Sequence, residues 1–163
     1  VYKRQDTTGL TIVAKHALAG GILGNAVAKR AIHRTYYAVC SGCTPACMRI
    51  SAPIARKDAS TIERCVDFKR GENAVTDFIR IKYNPDNNLS LVKLRLLTGR
   101  THQIRVHMKY IGFPLIGDFL YNPDYTYISR QALHSGRLVF THPVTGQKMN
   151  LISDIPSDMK SLF

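Results

Sequence analysis

Acidic residues are scarce in this chain. Eleven aspartates and glutamates stand against 23 lysines and arginines among 163 residues, for a formal charge of +12. The sequence pI is near 9.8. Such an excess favours a polyanionic partner. No stretch approaches the ~20 apolar residues of a membrane-spanning helix, and no strongly amphipathic lysine-rich helix stands out, which argues against an anionic membrane as that partner. A secretory signal is also lacking at the N-terminus, so the cytoplasm is the expected compartment. There are no internal repeats or low-complexity segments, and the basic residues are spread along the chain, as on a folded basic face rather than a disordered arm. The length suits one domain with its own core.

The cysteines fall short of a metal site. Cys40, Cys43 and Cys47 are spaced C-x-x-C-x-x-x-C, but Cys65 lies far downstream without a close partner. A four-thiolate zinc site generally offers two tight pairs. Reduced thiols and no bound metal are expected.

What the chain does have is a strand, a tight turn and a helix between Leu89 and Gly112. Val92, Leu94 and Leu96 alternate with Lys93 and Arg95, the period of a half-buried strand. Thr98-Gly99 ends the run, and Thr101 is the predicted N-cap of a helix whose apolar stripe is Ile104, Met108 and Ile111. Gly112 closes it, with Pro114 just beyond. Arg100, His102 and Arg105 crowd its first turn, where the helix dipole disfavours cations. That crowding makes sense if an anion, either a phosphate or a carboxylate from elsewhere in the fold, sits against the turn.

Around this centre, Leu10 to Ala14 reads as a buried strand. A helix is predicted from about Ala17 to Ile32, with Leu18, Ile22 and Ala26 on one face, although Gly20, Gly21 and Gly24 weaken it. Thr35 to Cys40 reads as a strand whose adjacent Tyr36 and Tyr37 point to opposite faces. Residues 41–71 look loop-rich. Ala74 to Tyr83 reads as a strand with Ile79, Ile81 and Tyr83 inward and Arg80 and Lys82 outward. The turn chemistry of Asn84-Pro85-Asp86-Asn87-Asn88 joins it to the central strand as an antiparallel hairpin. Arg137 to Thr141 and Lys148 to Ile152 form a last hairpin. Asp118 either pairs with an arginine of the basic helix or stabilises its own loop as an Asx turn.

Gly99-Arg100-Thr101-His102-Gln103-Ile104-Arg105-Val106-His107 resembles the signature of the RluA-type pseudouridine synthases, enzymes that isomerise uridine to pseudouridine within RNA. The similarity extends to Asp6-Thr7-Thr8-Gly9, Ala52-Pro53-Ile54, Gly71 to Thr76, Leu115 to Tyr121 and Ala132 to Gly146. It implies an α+β fold: a largely antiparallel mixed sheet flanked by helices, forming a single catalytic domain over 1–163 that is incomplete at the N-terminus. It also implies a monomer acting on ribosomal or transfer RNA, with no DNA or membrane partner and no cofactor or metal. The match Thr-Tyr-x-Ala-x-x-x-Gly, ending at Gly42, assigns the stacking tyrosine to Tyr36. Arg105 becomes the arginine that pairs with a catalytic aspartate, and Ile104 its apolar neighbour under the base. Arg100, Thr101, His102, Gln103 and His107 become RNA-binding candidates.

One departure concerns the aspartate itself. The family motif runs His-Arg-Leu-Asp, one residue, then Asp-Thr-Ser-Gly. Asp6 to Gly9 matches the second half, while Val1 to Gln5 stand in place of the first, with Arg4 at the nucleophile's position. An arginine stays protonated and offers no nucleophilic oxygen. Asp6, two residues on, lies about 6–7 Å away along an extended chain and is no obvious substitute. Either residues 1–5 are foreign sequence on a fragment, or the protein kept an RNA surface and lost the chemistry. The abrupt end of the mismatch at Asp6 favours the fragment. The rival function is a non-catalytic RNA-binding module on the same fold.

Overall fold

Residues 75–96 form the expected hairpin, and the rest of the sheet is built outward from it. The computed structural model describes residues 6–163. In chain order the elements are β1 (Thr8–Gly9), α1 (Ala17–Ala28), β2 (His33–Ser41), β3 (Cys47–Ser51), β4 (Ile54–Arg56) and β5 (Arg64–Val66). They continue with β6 (Val75–Asn84), β7 (Leu89–Leu96), α2 (Gln103–Tyr110), β8 (Leu133–Thr141), β9 (Lys148–Ile152) and α3 (Ser157–Lys160). The main sheet has seven strands in the order β1-β8-β2-β7-β6-β3, with β9 also paired to β8. Only the β1–β8 pairing is parallel. β4 and β5 make a separate two-stranded sheet. The expected α+β architecture is therefore present. Position 4 lies outside the described residues.

The sheet buries both faces. On one, Ala38, Cys40, Phe78, Val92 and Leu94 pack against Ile104 and Met108 of α2. On the other, Val39 and Leu89 pack against Ile116 and against Met159 of α3. Each large apolar side chain taken fully from water contributes about 1.5–3 kcal/mol. Tyr36 joins the first cluster and Tyr37 the second, so the two tyrosines occupy opposite faces as the strand period requires.

Four expectations are corrected. Leu10 to Ala14 is not a strand: after Gly9 only the Leu10 amide still bonds to β8, donating to the Ser135 carbonyl at 2.9 Å, and Val13 is 77% exposed. The cause is competition for one edge, because β9 takes β8 from Arg137 onward. Helix α1 stops at Ala28, with Arg30 in a left-handed conformation, and it buries Ala19 and Leu23 while Leu18 and Ile22 face outward. Gly20 and Gly24 lie on its packing side, along a shallow depression shared with Ile12 and Ile32. In β6 the inward residues are Thr76 and Phe78, whereas Ile79 and Ile81 are about half exposed. A bulge between Arg80 and Lys82 resets the alternation, and Arg80 turns in to donate to Cys43 Sγ and the Thr44 carbonyl. Finally, the loop-rich region 41–71 contains three short strands.

Candidate active site

The turn from β7 into α2 is fixed by one side chain. Gln103 is 2% exposed and satisfies every polar atom inside the protein. Its Oε1 accepts from the Thr98 hydroxyl at 2.8 Å and from the Arg100 amide at 3.0 Å. Its Nε2 donates to the Val75 carbonyl and to Thr76 Oγ1, both at 3.0 Å. Thr98 Oγ1 in turn accepts from the Val75 amide at 2.9 Å. Thr98→Val should lower stability by about 1 kcal/mol, because it strands two groups of this network. A shift in the urea midpoint, with faster amide exchange at Val75, would show it.

His107 extends the network downward. Its Nε2 faces the Ala52 carbonyl at 2.9 Å and so carries the proton, leaving Nδ1 to accept from the Thr76 hydroxyl at 2.9 Å. Burial holds its imidazole below the usual range, with the Ala52 carbonyl opposing in part. Gln103 and His107 are thus internal ties and present no surface to RNA, contrary to expectation.

The helix is capped by His102 rather than Thr101, and without a side-chain hydrogen bond. His102 adopts φ 56°, a left-handed conformation that costs a β-carbon residue about 1–2 kcal/mol. A tyrosine holds it there. The Tyr121 phenol accepts from the Arg64 amide and pairs with His102 Nδ1, each at 2.9 Å, with the rings edge to face at 82°. Burial, then the nearby Arg105 cation, push the His102 pKa down to about 4, so the neutral ring accepts the Tyr121 proton. Burial also pushes the Tyr121 phenol up to about 12, keeping it a donor.

Beneath this pair lies Arg105. Its Nε and Nη2 donate to the two carboxylate oxygens of Asp118 at 2.7 and 2.6 Å, and the side chains are 6% and 0% exposed. Asp118 Oδ1 also accepts from the amides of Leu120 and Tyr121. Both readings of Asp118 hold at once: it is the ion-pair partner and the Asx anchor of its loop. The guanidinium lies 4.9 Å from the Tyr121 ring centroid and 5.2 Å from that of Phe119. The anion inferred for the basic turn is thus, at Arg105, a carboxylate of the protein itself.

Of the remaining candidates, Ile104 is buried in the cluster that Tyr36 packs against. Thr101 is exposed, and Arg100 pairs with Glu72 while donating to the Asn73 carbonyl at 3.1 Å. The Asp6-to-Gly9 segment is pinned to β8. Thr7 Oγ1 accepts from Gln131, Thr8 Oγ1 meets His134 Nδ1 at 2.9 Å, and Gly9 adopts φ +93°, where a β-carbon would come within 2.3 Å of the Ser135 carbonyl. Ser135 is paired with Tyr36 across β2, so the segment lies two strand spacings, about 10 Å, from the tyrosine. Sequence reasoning missed Tyr121, although it ends a segment that carried the resemblance. Arg64, whose charge also bears on His102, lies in the region 41–71 that reads as loop-rich.

Among the described residues no group of three His, Cys, Asp or Glu side chains is placed to hold a metal ion. Cys40 is buried in the core, where desolvation raises its thiol pKa far above the usual range.

Residues 5–110 match the family model described as RNA pseudouridylate synthase. The chain belongs to the RNA pseudouridylate synthase family. Within it the resemblance is to the RluA type. An uncharacterised RNA pseudouridine synthase of Bacillus subtilis is 46% identical over 161 residues, covering 98% of this chain and 56% of that protein. A ribosomal large subunit pseudouridine synthase D of Zymomonas mobilis is 37% identical over 169 residues, covering 98% and 53%. The structure of human RNA pseudouridylate synthase domain containing 1 superimposes with a TM-score of 0.75 at 25% identity, covering 87% of this chain and 62% of that one. This synthase-family chain spans about half the length of the curated relatives it matches.

Proposed function

We propose that the protein isomerises uridine to pseudouridine in structured ribosomal or transfer RNA, as a cytoplasmic monomer without cofactor, metal, DNA or membrane partner. The observation that carries the reading is the signature turn itself: a buried arginine, Arg105, beneath a neutral His102, on the sheet face that holds Tyr36. A uridine drawn from the RNA fold would stack near Tyr36, at a cost of a few kcal/mol of lost base stacking that phosphate contacts and packing recover. Arg100, Thr101 and His102 are the residues we assign to the RNA backbone, with Tyr36, Ile104 and Arg105 at the base.

The nucleophilic aspartate is the part we assign as absent, because Arg4 stands at its position. The 163-residue chain should form no pseudouridine. Arg4→Asp should not suffice, since Val1 to Lys3 still lack the His-Arg-Leu context, whereas replacing residues 1–5 by the aspartate-bearing segment of a relative should. Pseudouridine mapping on total RNA from a host stripped of its own enzymes of this class decides the matter. Modification by the unaltered chain would overturn the missing nucleophile.

A non-catalytic RNA-binding role on the same fold is supported by one observation: Asp118 already neutralises Arg105, so the ion pair needs no further aspartate. Both readings expect phosphate contact by Arg100. Arg100→Ala should weaken RNA binding at all sequences and flatten its salt dependence by about one unit of slope. Glu72→Ala, which frees Arg100, should strengthen binding. An unchanged slope in Arg100→Ala would remove this arginine from the interface.

A further inference from the structure

The sheet face turned away from α2 carries a row of cations that the candidate active site does not use. Strand register aligns them: Arg137 on β8 is opposite Thr35 on β2, Thr35 opposite Arg95 on β7, Arg95 opposite Asp77 on β6, and Asp77 opposite Arg49 on β3. Arginines therefore recur on every second strand, about 10 Å apart. All three are exposed, and so is Lys93, two residues along β7 on the same face.

Next to Lys93 and Arg137 lies an open depression of about 360 Å³, also lined by Tyr37, Gly136, Asp154 and Lys160. A β-carbon on Gly136 would come within 2.5 Å of the Tyr37 ring, so the missing side chain lets the ring lie against the β8 backbone. Two acids oppose these cations. Asp77 is held by Arg49 in a bidentate pair at 2.6 and 2.8 Å, and Asp154 lies at the rim of the depression. Lys93, Arg95, Arg137 and Lys160 form no ion pair among the described residues.

A cationic track with an aromatic ring set into it is the arrangement that binds single-stranded nucleic acid: the charges follow the phosphates and the ring stacks a base whatever its identity. A flat basic face alone would accept any polyanion, but the Tyr37 ring in the wall of the depression adds an aromatic surface on which a base can stack. We propose that this face is a second RNA-binding surface, which takes a single-stranded segment with its phosphates on Lys93, Arg95 and Arg137 and a base on Tyr37. Tyr36 and Tyr37 point to opposite faces, so the two RNA contacts lie back to back across the sheet. The proposal rests on the reading that this protein binds RNA, and the Arg100 variant tests that reading separately.

The experiment titrates the 163-residue chain with a short oligouridylate at several salt concentrations and maps ultraviolet cross-links by mass spectrometry. Lys93→Gln/Arg137→Gln should lower affinity about tenfold and reduce the salt slope by about 0.7 for each lost phosphate contact. The unmodified chain should cross-link through the peptide that contains Tyr37. Arg100→Ala should leave the Tyr37 cross-link in place, since the two sites lie on different faces and bind the short oligonucleotide independently. An unchanged slope in the double variant, with a changed slope in Arg100→Ala, would overturn the second surface and leave RNA binding intact. Cross-links confined to α2, with equal loss of heparin binding in the double variant, would also overturn it. Failure of the chain to bind RNA at all would remove both readings.

Discussion

Asp118→Ala should destabilise the protein by about 3–5 kcal/mol, the usual cost of leaving one member of a buried ion pair without its partner. Arg105 has little else to turn to: its guanidinium lies between the Phe119 and Tyr121 rings, and it is 5% exposed. The same substitution strips acceptors from the Leu120 and Tyr121 amides, loosening the loop that holds His102 in place. With domain stabilities of about 5–15 kcal/mol, a loss of this size would leave much of the chain unfolded at moderate temperature. The double variant Arg105→Met/Asp118→Leu should recover part of the loss, since it removes both desolvated charges together. Urea midpoints for the three proteins test this. A loss below about 1 kcal/mol in Asp118→Ala would place the pair among surface ion pairs in energetic terms.

Acidification from pH 6.5 toward 4 should cost a further part of the stability, and two histidines set the sign. The folded pKa of His102 is lowered from 6.5 to about 4, and that of His107 is lowered in the same direction. The unfolded chain binds protons first as pH falls, so this stability is fully present above 6.5 and is lost on the way down to the folded values. At 1.36 kcal/mol per pKa unit the His102 interval is worth at most about 3 kcal/mol, and partial solvent exposure brings it to about 2. His107 adds to the loss. Asp67, Asp77 and Asp124, whose carboxyls are held below 3.8, lose their contribution only under more acidic conditions, so the windows separate. His102→Asn, which tolerates the left-handed backbone, should flatten the urea midpoint between pH 6.5 and 4. An equally steep profile in that variant would assign the acid response elsewhere.

The hairpin of β6 and β7 was legible because its signals are local: alternation in β7 and five consecutive turn formers, with Asn88 taking the left-handed position. Sites decided by distant partners were not. Nothing near Leu10 reveals that β9 will claim the edge of β8, and nothing near Ile79 or Ile81 reveals that both will lie on the half-exposed face of β6. The N-cap was misplaced by one residue for a similar reason, since the Tyr121 phenol that steadies His102 is 19 positions away. The signature residues were found by likeness, but likeness did not separate those that face outward from Gln103 and His107, whose partners Thr76 and Ala52 come from other strands and loops.

The small β4–β5 sheet has a consequence for what relatives of this fold are free to change. Its base is closed by a bridge between Ile54 and Glu72, and it is fastened to the site by the Arg64 amide on Tyr121. Gly71 is wedged there so tightly that a β-carbon would come within 2.3 Å of the Asp67 carbonyl and 2.7 Å of the Pro53 carbonyl carbon. Between Arg56 and Arg64 the turn is closed by Lys57, whose amide donates to the Glu63 carbonyl at 3.1 Å and whose ammonium pairs with the Glu63 carboxylate at 3.0 Å, and residues 58–62 beyond it are exposed. Lengthening that tip should be thermodynamically inexpensive, since each doubling of a flexible loop adds only about 0.6 kcal/mol of closure entropy. New sequence can therefore be grafted at 58–62 at little cost, while Gly71 stays fixed at the base of the small sheet.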